Sequence, residues 1–389
     1  MLNNMLLLSL LRLVPIVLSV PFDNWHGHQG DGTAKAAYFL DNNPSGSAII
    51  SLRIGFDGIV SDPVRTSTGG YGAIGTNLTG FPNAVDPLIS QGSVTVNGNL
   101  LLTVNAGSNT VALLHIDEQD PCQLTLVGPP ADTMGEFPMS VTYSEQLKTA
   151  CVLNGGTKAG VSCFNVDPDH GLRAAGPLRS LGSAINETTP PTGPPGSSSE
   201  ILFNPTSSAV IVSIKGSGPP GYIVAFPVEH NQVSTAGVFN QVSDIKLDFA
   251  AIFINRTSLF LVDPSFGASI LEINSDYTVT EKAHTVISNQ SAVCWANYDV
   301  ATNTAYAIDA GQPVVYTVDA ITGALKGNFA ADGSIGGLFD SAIGGRYMYS
   351  LALVNGVVVF DIREEKQIQF LNLTGFGERQ GYTGMALWP

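Results

Sequence analysis

Charge is scarce in this sequence, and positive charge scarcer still. Asp, Glu, Lys and Arg make up 13% of 389 residues, against about a quarter in ordinary globular chains, and 17 Lys and Arg face 32 Asp and Glu for a net of −15. So acidic a chain repels phosphate backbones and anionic headgroups, which excludes nucleic acid and membrane surfaces as partners. It also weighs against multiply anionic substrates, whose charges need several Arg or Lys donors. Apolar residues nowhere sustain a helical spacing, so a helix bundle is excluded. There is no Cys-X-X-Cys and no Cys/His spacing of the zinc type, no Gly-X-Ser-X-Gly elbow and no Ser-His-Asp order. These absences disfavour metal-centred and covalent hydrolysis, and no cofactor is implied.

What the chain has in quantity is turns and short strands. It carries 42 Gly and 23 Pro, and from Ala36 onward β-branched and aromatic runs recur in blocks of about 40 to 50 residues, each holding about four strand-length segments. One block reads Ser93 to Gly98, Leu100 to Ala106, Thr110 to Asp117 and Gln123 to Gly128, with Asn97-Gly98 and Ala106-Gly-Ser-Asn109 as turns. Similar quartets fit approximately 138–182, 197–237, 243–289, 291–333 and 335–375. The first block has only three strands, Ala36 to Asp41, Ala48 to Arg53 and a weaker Val60 to Thr66. The tail Tyr382 to Trp388 supplies the missing innermost strand, with Met385 and Leu387 against Tyr38 and Leu40, and closes the ring so that no long sheet edge is exposed. The expectation is an all-β, seven-bladed β-propeller occupying residues 36–389 as one domain. Six or eight blades are the alternatives, because turns in 243–289 are poorly marked.

The N-terminus reads as an address. Met5 to Val20 is apolar but broken by Arg12, with Val17 and Ser19 placed for cleavage before Val20, so residues 1–19 are expected to be a signal peptide and 20–35 a tail. Five Asn-X-Ser/Thr acceptors, Asn77, Asn186, Asn255, Asn289 and Asn372, lack Pro at the middle position, making secretion with N-glycans the expectation. Cys151 and Cys163 flank a turn at Asn154 to Gly160, so a hairpin brings them face to face as a disulfide worth about 3 kcal/mol in the chain-entropy model. Cys122 and Cys294 either stay as thiols or pair across blades.

The segments Gly92 to Asn109, Ala150 to Gly156 through Gly160 to Phe164, and Asn186 to Gly196 followed by Leu202-Phe-Asn204 and Ser213-Ile-Lys-Gly216 resemble fungal secreted proteins of the 3-carboxymuconate cyclase-like type, within the lactonase family of seven-bladed propellers. The resemblance implies sugar-lactone hydrolysis, muconate cycloisomerisation, a wall glycoprotein role as adhesin or antigen, or hetero-Diels–Alder cyclisation in secondary metabolism. Relatives often place a histidine in the inner-strand motif where Gly135-Glu-Phe-Pro-Met-Ser140 has Phe137. None of the six histidines, His26, His28, His115, His170, His230 and His284, falls at an inner-strand start.

A propeller's site is expected where inner strands begin, with the loops joining second and third strands. By that projection Gln91, Glu136, Phe137, Glu200, Asp244, Trp295, Asp340 and Tyr382 open inner strands, while Asn105, Asn154, Lys158, Lys215, Asp309 and Asn355 sit at loop ends. Glu200 and Lys215 are expected to pair at the channel mouth as acid or base and as donor, with Glu136 a second carboxylate facing the same cavity. Cyclisation of a small, mostly apolar metabolite needs an enclosed cavity and one or two donors but neither nucleophile nor metal, with Trp295, Phe137 and Tyr382 as walls and Lys215, Asn154 or Gln91 as donors. The alternatives are a non-catalytic secreted or wall glycoprotein, and a lactonase or muconate cycloisomerase.

Overall fold

A computed structural model describes residues 34–389; the expected signal peptide and nearly all of the tail lie outside them. Seven antiparallel sheets of four or five strands follow one another along the chain, joined by a separate two-stranded sheet. Within each blade the inner strands carry no alternation, because both faces are covered by neighbouring blades. Thr149–Asn154, Ala209–Ile214 and Val293–Asp299 are buried at every residue. The outermost strands alternate instead, as in Val279–Val286, where one face meets solvent. Helix is confined to three single 3₁₀ turns among the described residues.

The first blade consists of Ala36–Asp41, Ala48–Ile54 and Val60–Ser67, with Tyr382–Trp388 as its innermost strand. The chain thus closes its own ring. The register differs from expectation by about one residue: Leu387 faces Ala37, Ala386 faces Tyr38 and Thr383 faces Leu40, with an irregularity between Tyr38 and Leu40 that absorbs the offset. Lys35 N donates to Trp388 O at 2.8 Å and prolongs this ladder.

The hairpin Thr149–Asn154 and Gly160–Asp167 places Cys151 opposite Cys163, and the two form a disulfide. Cys122 and Cys294 are buried thiols. Sequence reading did not anticipate the parallel pairing of Thr76–Asn77 with Thr192–Gly193. It ties the connection between blades 1 and 2 to the Pro-rich connection between blades 3 and 4.

Candidate functional site

Inner strands start around one end of the axis, where an open mouth was expected. That end is covered. Residues 84–93, approaching the inner strand Val94–Asn97 of blade 2, cross it and bond to several blades. Ser90 Oγ donates to Met139 O (3.0 Å), Lys215 Nζ donates to Ile89 O (2.8 Å), and Gln91 spans the axis. Gln91 Nε2 donates to Glu200 Oε1 (3.0 Å) and Ala251 O (3.4 Å), while its Oε1 accepts from Ala296 N (3.0 Å). One side chain thereby links blades 4, 5 and 6. Asp86 and Ile89 sit at φ 51° and 57°, a region that costs non-glycine residues about 1–3 kcal/mol and persists only where surroundings enforce it.

Beneath this plug is an axial cavity of about 240 Å³, lined by Gln91, Glu200, Asn297, Asp340 and Ser341 among apolar Val96, Ile252, Ile343 and Met385. A second space of about 580 Å³ shares Gly92, Val96 and Ile252 with it and runs between the inner strands of blades 3 and 4 toward Ser144 and Asn204. The axial site is therefore approached from the strand-end face, opposite to the expectation. Gly92 permits the junction: at φ 81°, a Cβ there would meet Ser140 Oγ at 2.9 Å.

Two carboxyls occupy equivalent places, third in the inner strands Ser198–Phe203 and Leu338–Gly344. Glu200 is 3% exposed and Asp340 2%. Burial drives the Glu200 pKa up to about 8, although Ala251 N (2.7 Å) and Gln91 donate to it. Burial, reinforced by Asp86, takes Asp340 up to about 8 as well. Both shifts favour the protonated carboxyl over the carboxylate. Asp340 Oδ1 has no hydrogen-bond partner within the protein, nor have the nearby Thr383 Oγ1 and Trp295 Nε1.

A charged layer surrounds the plug. Burial brings Lys215 down to about 8, opposed chiefly by Asp86, and raises Asp86 to about 6 against the pull of Lys215. Lys215 does not form the expected ion pair with Glu200. Its Nζ donates to Ile89 O and Ser198 O (2.7 Å) and stands 4.6 Å from the Phe249 ring. Burial also brings Arg379 down to about 10 beside Asp340 and Asp86, and raises Asp248 and the Cys294 thiol well above their ordinary values. Glu187 rises to about 8 by burial, receiving Ser198 N at 3.1 Å.

Of the residues projected from sequence, the structure brings Gln91, Glu200 and Asp340 together. Glu136 stays apart: it accepts from the hydroxyls of Thr157 and Thr189, which hold its carboxyl below the usual range, and it does not line the axial cavity. Trp295 is 1% exposed and packs between Phe249 and Phe339, with ring centroids 5.2 and 4.9 Å away. Phe137 and Tyr382 are also core residues, Tyr382 edge-on to Phe39 at 4.8 Å. Asn105, Asn154 and Asp309 serve local architecture. Asn105 accepts from Thr68 Oγ1 (2.6 Å), Asn154 donates to Gly160 O and Ser162 Oγ (3.1 Å each), and Asp309 receives the backbone N–H groups of Ser291, Ala292 and Gly311. Asn355 donates to Gly377 O (2.8 Å), and Asp244 and Lys158 are exposed. His115, His170, His230 and His284 lie at the surface.

Sequence reasoning missed Asp86, Glu187, Asp248 and Arg379. All belong to irregular approaches to inner strands, where no period marks a side chain as buried; an acid two residues before the inner strand Ala250–Phe253, as Asp248 is, was the one available signal. Among the described residues, no three of His, Cys, Asp and Glu converge on a metal-sized site. No helix among them is long and apolar enough to cross a membrane.

No family model and no curated protein matches the chain. Solved structures do match. The periplasmic gluconolactonase of Pseudomonas aeruginosa superimposes with a TM-score of 0.63 at 13% identity, over 91% of this chain and 99% of that one. A protein from Lactobacillus plantarum gives 0.64 at 12% identity, over 92% and 100%. At such identities the likeness establishes architecture alone, and by it this chain is a seven-bladed β-propeller of the shape that gluconolactonase structures share.

Proposed function

We propose that the chain is an enzyme that opens or closes the ring of a small, weakly charged cyclic ester in the axial cavity, using the neutral carboxyl groups of Asp340 and Glu200. The observation that carries this reading is the pair of buried acids at equivalent inner-strand positions facing one cavity, with Asp340 Oδ1 uncommitted to the protein. Ring opening adds water to the ester carbonyl: a neutral carboxyl donates to the carbonyl oxygen as negative charge develops there, the ring C–O bond breaks, and the proton shed by the water ends on the departing ring oxygen. The acid is thereby regenerated, and closure is the same path reversed with water released. The shortage of cations fits an uncharged substrate, and the name of the Pseudomonas neighbour, a gluconolactonase, supplies a lactone as the first class to try. The adjoining space between blades 3 and 4 can receive the non-reacting part of the substrate. Cycloaddition has less support, because the expected apolar walls, Trp295, Phe137 and Tyr382, are spent on core packing.

The test is a panel of uncharged γ- and δ-lactones with their hydroxy acids, followed by NMR. Ring opening or closure is expected, with kcat/KM falling above pH about 8 as Asp340 ionises and kcat lowered about 10²- to 10⁴-fold in Asp340→Asn. No turnover in either direction by the unaltered protein would overturn the proposal.

One observation favours a second reading, a non-catalytic secreted glycoprotein: Ser90, Lys215 and Arg379 beside the plug donate to backbone carbonyls, and the acceptors Asn186, Asn289 and Asn372 are exposed, with Asn77 and Asn255 half-buried. Export supports either reading, since the disulfide fits an oxidising compartment.

A further inference from the structure

Three cations are buried among the described residues: Lys215, Arg379 and Arg179. The first two lie in the field of Asp86, with Asp340 also acting on Arg379. Arg179 has no such partner. It is 4% exposed, on a short strand, Arg179–Ser180, added to blade 3 beside blade 4. Every group its guanidinium reaches is a neutral carbonyl. Nε donates to Ser234 O (3.0 Å) and Val233 O (3.3 Å), and Nη2 donates to Val233 O (2.8 Å) and Ala175 O (3.3 Å). Nη1, with two N–H groups, makes one long contact, 3.4 Å to Pro177 O. Burial holds this guanidinium below its ordinary pKa with no carboxylate acting against it.

Arg179 also borders a cavity of about 250 Å³ whose other polar walls are Thr149, Asn165, Asn231, Gln232 and Thr235. No Asp or Glu lines it, in a chain with 32 of them. A buried charge is costly unless paired. The cavity offers amide and hydroxyl donors around an uncommitted guanidinium N–H, the arrangement that recognises small oxyanions.

We infer that this cavity between the outer parts of blades 3 and 4 binds a small oxyanion, with Arg179 as its charge partner and the neighbouring amides and hydroxyls as further donors. The site is separate from the axial cavity and does not depend on the proposed activity.

The experiment titrates the full protein with phosphate, sulfate or acetate at an ionic strength held constant with chloride, reading Tm and isothermal titration heat. The expected result is a saturable rise in Tm with one ion bound per chain. Phosphate and sulfate without acetate would assign a tetrahedral anion, and acetate as well would extend the site to carboxylates. Arg179→Gln should weaken binding at least tenfold. Asn165→Asp, at an exposed position that does not endanger folding, places a carboxylate in the cavity and should remove the response while raising Tm in oxyanion-free buffer. The absence of a saturable response to all three ions, or a response unchanged by Asn165→Asp, would overturn the assignment even if Arg179→Gln failed to fold.

Discussion

At the scale of single residues, the axial acids tie stability to pH. Folding raises Glu200 and Asp340 from ordinary carboxyl values to about 8, so the folded chain keeps protons that the unfolded chain releases once pH passes about 4. The stabilisation is complete below that pH, declines between about 4 and 8, and is gone above, with a slope of ~1.4 kcal/mol per pH unit for each group. Urea denaturation at pH 5, 6, 7 and 8 should therefore show falling stability, and Glu200→Gln or Asp340→Asn should each flatten the curve by one proton. A slope indifferent to both substitutions would mean that these carboxyls are ionised in the native protein. Glu200 and Asp340 were legible in the sequence because each stands near the start of a marked inner strand, and Gln91 was reached only by its closeness to the strand that follows it, Val94–Asn97. Trp295 and Tyr382 were misplaced for a physical reason: both faces of an inner strand are apolar, so the period that tells inside from outside on a half-exposed strand is missing.

Among elements, the hairpin of blade 3 was read correctly because its turn chemistry fixes the register that sets Cys151 against Cys163. Its disulfide closes a short loop, and Cys151→Ala with Cys163→Ala should lower the unfolding free energy by about 2–4 kcal/mol while leaving the far-UV spectrum intact, since ladder bonds surround both positions. A loss of blade structure at low temperature would show that the crosslink specifies the fold as well as stabilising it. The plug was illegible. Residues 84–93 contain no strand and little pattern, and their position comes from contacts far along the chain, Ile89 with Lys215 and Gln91 with Ala296. Local sequence cannot encode which face of a ring an irregular connection will cover.

For the whole molecule, the block period sufficed to give seven blades, because each block needs a neighbour on both sides to cover its apolar faces. Closure is the vulnerable point. Removing Tyr382 to Pro389 would strip the inner strand from blade 1 and expose Ala36–Asp41 as an unpaired edge. The expected product elutes as aggregates in size-exclusion chromatography and lacks the cooperative transition of the intact chain. A monomeric, cooperatively melting product would show that six complete blades hold the seventh without its ladder.

That same junction imposes a schedule on biosynthesis. Lys35 and Trp388 bond to each other from opposite extremes of the described chain, so the ring cannot close during synthesis before Tyr382–Trp388 has left the ribosome. Until then the nascent blades wait as an incomplete arc, in need of protection from their neighbours.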